Sequence, residues 1–258
     1  MTILRIATWN VNSLRVRLPQ LKEWLSSALP DIVALQETKQ QDTDFPHEAL
    51  RAMGYEVAFS GQRTYNGVAI LSRHAINVLN TDIPGYPDQQ RRVLAVETSG
   101  LCIVNIYIPN GQTLNSDKYQ YKLDWLAALE KWLKVEVLQH PKMIVLGDFN
   151  IAPEDRDVHD PKAWANSVLT SESERAALEK ILGIGFIDVF RNFDQPEKSY
   201  SWWDYRAAAF RRNNGVRIDL ILASMELAAL CTSSSIDREP RRAERPSDHT
   251  PVLATFKI

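Results

Sequence analysis

The stretch Met143-Ile144-Val145-Leu146-Gly147-Asp148-Phe149-Asn150 decides how this chain folds and where its chemistry sits. Four apolar residues in a row predict a buried strand over 142–147, and the run then breaks into the polar signature Gly-Asp-Phe-Asn. Extended residues two apart point the same way, so Asp148 and Asn150 face one volume. A carboxylate there can position and deprotonate a water, and an amide can orient that water or a developing oxyanion. Alone, such a signature is more often a strand-to-turn junction closed by an Asx-turn. Its weight comes from five companions that also sit beside apolar runs: Thr8-Trp9-Asn10, Gln36-Glu37-Thr38, Ile106 to Gly111, Arg217-Ile218-Asp219 and Ser247-Asp248-His249. Together they deliver Asn, Glu, Tyr, Asp and His to one sheet rim.

Working outward, strands are predicted at 3–9, 31–36, 55–60, 67–72, 92–98, 101–108, 216–222 and 250–257 as well. Helical spacing predicts a helix over 18–29 with Leu18, Leu21, Leu25 and Leu29 on one face, and another over 116–138 with Tyr121, Trp125, Leu129 and Trp132 on one face. A third helix is expected over 171–182, opened by a Ser171/Glu174 capping box and followed by Gly183. Many strands with few long helices predict an α/β sandwich, two packed sheets flanked by helices. The long polar loop 151–170, directly after a site signature, is expected to be functional.

The 258 residues are 45% hydrophobic and 24% charged, an ordinary globular composition without a linker or an internal repeat, so one domain over 1–258 is expected. No stretch approaches a membrane span, and the N-terminus is already a strand pattern rather than a leader. The two cysteines, Cys102 in a strand-like run and Cys231 in an apolar helix-like stretch, suggest neither disulfides nor a thiolate cluster, so the compartment is expected to be cytoplasmic. A net charge of −2 argues against a nucleic-acid partner. Its distribution argues the other way: Arg91-Arg92, Arg211-Arg212 with Arg217, and Arg238, Arg241, Arg242 and Arg245 lie near the signatures, while Glu172, Glu174 and Glu179 fall on an expected surface helix.

Glu37 ends an almost wholly apolar strand, where a carboxylate is costly unless paired or bound to a cation. With Asn10 and Asp248 in similar positions, the donors are hard oxygens, which suits Mg²⁺ or Mn²⁺ rather than Zn²⁺. Asp219, inside a strand, needs a partner, and His249 is the candidate; such a pair would aim the free ring nitrogen at a phosphoryl oxygen. A core histidine satisfied by an acid is the plainer alternative. Tyr107 is placed to present its hydroxyl at the sheet edge, and gains weight only from its company. Neither a Gly-rich phosphate loop nor a Gly-x-Ser-x-Gly elbow is present.

In order, TWNVNSLR, LQETK, YNGVAILSR, NIYIPNG, GDFNIAP, the cluster Tyr200 to Tyr205, RIDLIL and RPSDHTP resemble the exonuclease III family of DNA-repair nucleases over residues 3–257. The resemblance implies a DNase I-like four-layer α/β sandwich, a divalent metal, and phosphoester hydrolysis in damaged duplex DNA by a protein expected to be monomeric. Carried over by position, it implies Glu37 as main metal ligand with Asn10 and Asp248 beside it and Asp148, Asn150 and His249 as further contacts. It implies Asp148 as the group activating water, Asn150 as stabiliser of the transition state, Tyr107 as a phosphate or leaving-group contact and Asp219 as the orienter of His249. Tyr65, Arg92 and Asn110 resemble DNA contacts, and Trp202 the aromatic lining an abasic-sugar pocket, with Trp203 either sharing that wall or packing in the core. Leu169 stands where strong abasic-site endonucleases carry Gly or Ser, which implies a bias toward 3′-end cleaning and exonuclease action. Two rivals are a phosphoesterase of the same superfold acting on a small or lipid phosphoester, and a DNA-binding module without catalysis; the intact acids and His249 argue against the second.

Overall fold

A computed structural model describes residues 2–258. Among them the elements run β1 Ile3–Asn10, α1 Leu14–Ala28, β2 Ile32–Gln36, α2 His47–Arg51, β3 Glu56–Ser60, β4 Val68–Ser72, β5 Asn77–Asn80, β6 Val93–Thr98 and β7 Leu101–Tyr107. They continue as α3 Asp117–Gln139, β8 Met143–Asp148, α4 Pro161–Trp164, α5 Glu172–Leu182, β9 Phe186–Asp188, α6 Ala209–Arg212, β10 Asp219–Ser224, α7 Met225–Ala228, β11 Cys231–Ile236 and β12 Val252–Lys257, with single 3-10 turns between.

The strands form two six-stranded sheets, ordered β11-β12-β1-β2-β4-β3 and β5-β6-β7-β8-β10-β9. Each sheet has one parallel pair, β1/β2 and β7/β8, and is otherwise antiparallel. A parallel pair needs a crossover, and α1 and α3 supply them. The apolar runs have no polar alternation because both faces of these strands are covered. Ile32 and Ala34 of β2, and Ile144 and Leu146 of β8, face the other sheet. Val33 and Leu35 face α1, whose Leu21, Trp24 and Leu25 pack on them. Met143 and Val145 face α3 and α5 through Trp125, Leu129, Leu178 and Ile181. The result is helix, sheet, sheet, helix, the expected four-layer sandwich.

A polar seam crosses the apolar mid-layer near the site. Gln36 donates to the Thr8 hydroxyl at 2.9 Å and to the Asn105 carbonyl oxygen at 2.8 Å, and Asn105 donates across to the main-chain oxygens of Leu35 and Ala69, both at 2.9 Å.

Several expectations are corrected. β5, β9 and β11 were not foreseen, and Cys231 opens a strand rather than lying in a helix. The first helix starts at Leu14, and Leu29 leaves it in a left-handed cap, exposed rather than on the apolar face. Glu174 is fully buried against Lys122 instead of sitting on the surface. Arg217 and Arg241 are buried too, and Arg217 is paired with Asp157 and Asp188, so its charge adds nothing to a surface field. The Ser171/Glu174 capping box is present.

Candidate active site

Ligand sites in sheets of this kind open at the carboxyl ends of parallel strands. Here those ends are Asn10 and Glu37 on one sheet and Tyr107 and Asp148 on the other. Parallel pairing sets Tyr107 beside Asp148, and antiparallel pairing sets Asp219 on its other side, so three site residues stand in one row across β7, β8 and β10. His249, just before β12, reaches over from the opposite sheet.

The centre is compact. One ligand atom each from Glu37, Asp148 and His249 falls within 4.8 Å of the others. The Asn10 amide donates to Glu37 Oε1 and to Asp148 Oδ2, both at 2.9 Å, bridging the sheets. Asp148 Oδ1 accepts the Asn150 N–H at 2.9 Å. Asn150 takes a left-handed φ of +48°, which turns its side chain to accept from Asn110 and donate to the Ile108 carbonyl, each at 3.0 Å. His249 Nδ1 lies 2.9 Å from Asp219 Oδ2, and Nε2 lies 3.7 Å from Asp148 Oδ2.

Asp248 stands apart from this cluster. Its oxygens accept from Asn12 at 2.9 Å and from the Trp202 indole at 3.0 Å, which fixes the indole at the cleft wall. Trp202 lies edge-on to Trp164, while Trp203 is wholly buried and bonded to Asn213. Arg92 is buried; its guanidinium lies over the Tyr107 ring, 4.5 Å from its centroid, and donates to the Tyr107 carbonyl at 3.1 Å. Tyr65 is exposed, outside the lining of the cleft. That cleft, of about 760 Å³, is lined by Glu37, Tyr107, Asn110, Asp148, Asn150, Leu169, Trp202, Asp248 and His249, together with Trp164 and the 166–168 segment. The loop 151–170 therefore forms a wall of the site, with α4 inside it.

Charges are strongly coupled here. Burial would pull the His249 imidazole down, but Asp219 and Asp148 outweigh it and hold the ring protonated. Burial pushes Asp148 up, against the pull of His249. Burial would raise Glu37 too; the Lys39 ammonium, with hydrogen bonds from Asn10 and Lys39, carries it below the usual range instead. Burial, with Glu37 beside it, holds the Tyr107 phenol well above its ordinary range, so its hydroxyl stays a donor. The surplus of buried carboxylate is what a hard divalent cation would neutralise.

Two residues escaped the sequence reading. Lys39 sits 2.8 Å from Glu37, and Asn12, at φ +43°, links Lys39 to Asp248. Both follow directly on signatures, Asn10 and Glu37, and that adjacency was the available signal.

The family model for the endonuclease/exonuclease/phosphatase family matches residues 7–249. Exodeoxyribonuclease III of Haemophilus influenzae is 33% identical, over 98% of this chain and 100% of its own. Among solved structures, the Neisseria 3′ phosphatase NExo bound to a product DNA hairpin is 44% identical at TM-score 0.94, covering 99% of this chain and 100% of its own. An AP endonuclease from Archaeoglobus fulgidus is 41% identical at TM-score 0.95, with the same coverage. The chain therefore belongs to the endonuclease/exonuclease/phosphatase family, as a full-length relative of exodeoxyribonuclease III.

Proposed function

We propose that the chain, acting as one domain and as a cytoplasmic monomer, is a Mg²⁺-dependent phosphoesterase that repairs duplex DNA. Its activities are 3′-5′ exonuclease, 3′-phosphatase or 3′-phosphodiesterase, and abasic-site endonuclease. The observation that carries this reading is the Asp148 carboxylate, held between the Asn10 and Asn150 donors with the Asp219–His249 pair facing it.

Glu37 and Asp148 would hold the cation, oriented by the Asn10 amide that donates to both, with Mn²⁺ serving in place of Mg²⁺. Bound there, it supplies neutralisation of the phosphoryl charge. Asp148 takes the proton of the attacking water, and its raised affinity for that proton suits a general base. His249, kept cationic by Asp219 and Asp148, donates from Nε2 to a phosphoryl oxygen. The Asn150 amide stabilises the charge carried by the phosphoryl oxygens in the transition state, and the Tyr107 hydroxyl contacts the phosphate or leaving group. Asn110 steadies Asn150, while Asp248 holds Trp202 against the substrate.

The test is direct. With Mg²⁺, labelled duplexes bearing a 3′-phosphate, an internal abasic site or a plain recessed 3′ end are expected to be processed, the 3′-phosphate fastest. Chelation by EDTA should abolish all three activities and Mg²⁺ should restore them; turnover surviving in EDTA would remove the metal from the reading. Hydrolysis of inositol phosphate in place of the duplexes would overturn it.

The ranking is expected to turn on Leu169. The Neisseria relative is described as a 3′ phosphatase and the Archaeoglobus relative as an AP endonuclease. Leu169 sits at φ +80°, which glycine adopts without strain, and packs with Val158, Val216 and Ile218 beside Trp202. Leu169→Gly removes both the strain and the bulk, so incision of the abasic duplex should rise relative to 3′-phosphate release. An unchanged ratio would sink this role.

A further inference from the structure

Behind the cleft wall lies an ion pair that solvent does not reach. Lys122 of α3 and Glu174 of α5 both have side chains of 0% exposure. Such pairs recover little of their desolvation cost, and apolar residues of similar volume often replace them without loss. This pair does more than join two helices. The Lys122 ammonium donates to the carbonyl of Asn110 at 3.1 Å, to that of Asn150 at 2.7 Å and to Glu174. Glu174 Oε1 also accepts the Leu169 N–H at 3.1 Å, and Oε2 accepts the Ser171 N–H at 3.1 Å and hydroxyl at 2.6 Å. The Leu169 carbonyl in turn accepts the Ala152 N–H at 2.7 Å.

Three cleft segments are thus tied to one pair, each through main-chain atoms: the Asn110 turn, the Asn150 turn and the Leu169 loop. Asn150 and Leu169 both hold left-handed backbones, which a residue with a side chain keeps only where its surroundings impose it.

We propose that Lys122 and Glu174 are positioning residues that set where the Asn110 and Asn150 amides meet the phosphate and how far Leu169 closes the cleft, and thereby govern the choice between substrates. The proposal rests on the nuclease reading above. A pair that only joined α3 to α5 would be replaceable by apolar side chains; the donors of Leu169 and Ser171 would then be left without their acceptor.

The test uses the double variant Lys122→Met/Glu174→Leu, which leaves no lone buried charge, and the single Glu174→Gln, which keeps the volume and one acceptor oxygen and leaves the Lys122 ammonium on the Asn110 and Asn150 carbonyls. Hydrogen exchange at the Leu169 and Ala152 amides should speed up by about tenfold or more, with exchange in β1, β2, β7 and β8 unchanged. Single-turnover rates per folded molecule should show the ratio of abasic incision to 3′-phosphate release shifted by about tenfold, with Glu174→Gln shifting it less and in the same direction. Lower thermal stability with both the exchange and the ratio unchanged would overturn the proposal, leaving the pair as a helix clamp. If the double variant does not fold, Glu174→Gln carries the same two readouts. If the wild-type chain cleaves neither duplex, the nuclease reading fails, and the exchange measurement alone decides whether the pair holds the Leu169 loop.

Discussion

Asp148→Asn is expected to lower the single-turnover rate of 3′-phosphate release by roughly 10³-fold or more, the range for losing a general base that also faces the cation. The substitution keeps the shape and one acceptor oxygen, so the Asn10 or Asn150 contact survives and the fold should hold. What disappears is the proton acceptor and one of the two anions beside His249. Binding of a duplex with a recessed 3′ end, followed by fluorescence anisotropy, should stay close to wild type, because the cleft walls at Trp164, Leu169 and Trp202 are untouched. A variant that still turns over within about tenfold of wild type would show that another group activates the water. Tight binding lost together with turnover would instead place Asp148 in substrate capture.

Gly147→Ala is expected to destabilise the chain by about 4 kcal/mol or more, among the largest effects a single methyl can have. Gly147 has φ +147°, and a Cβ built on it would stand 1.9 Å from the Ile106 carbonyl oxygen on the neighbouring strand. That obstacle is main chain within the β7/β8 ladder, one pair before its end, with β10 on the other side, so neither strand can move aside without breaking a ladder. Urea unfolding of the purified variant, or its failure to accumulate in soluble form, reads the effect. A loss under about 1 kcal/mol would mean that the sheet yields there. The glycine of the Gly-Asp-Phe-Asn signature is thereby explained without chemistry: it lets the two strands approach closely enough to set Tyr107 beside Asp148.

The parts of the fold legible in the sequence were those with a one-dimensional mark. Uninterrupted runs such as Ile32 to Leu35 and Met143 to Leu146 announce strands covered on both faces, and a polar residue ending each run announces the rim. The strands that escaped notice lie at sheet edges. Asn77–Asn80 and Cys231–Ile236 carry polar residues, as edges do to discourage pairing with other chains, and Phe186–Asp188 is too short to show a period. The pairing of Asp219 with His249 could be inferred because each needed a partner. Arg217 could not be placed, because its acids, Asp157 and Asp188, are distant in the chain and a buried arginine looks like an exposed one in a string of letters. Glu174 was rightly read as the reciprocal half of a cap, yet its second engagement comes from Lys122, 52 residues away. Arg92 was visible as a cation near the rim, but its place over the Tyr107 ring depends on how β6 and β7 align.

The seam of Gln36, Thr8 and Asn105 bears on how this molecule would lose activity. Hydrocarbon faces slide over one another at little cost, whereas an amide that has found its carbonyl at 2.9 Å tolerates no such drift. The seam works as an alignment pin one residue below Glu37 and two below Tyr107, so the halves of the site cannot shift past each other while the pin is seated. Withdrawing it strands several amide groups away from water, a cost met only when the sheets part altogether. Heating should therefore show no inactive but folded plateau: the site and the sandwich are built to fail in the same step.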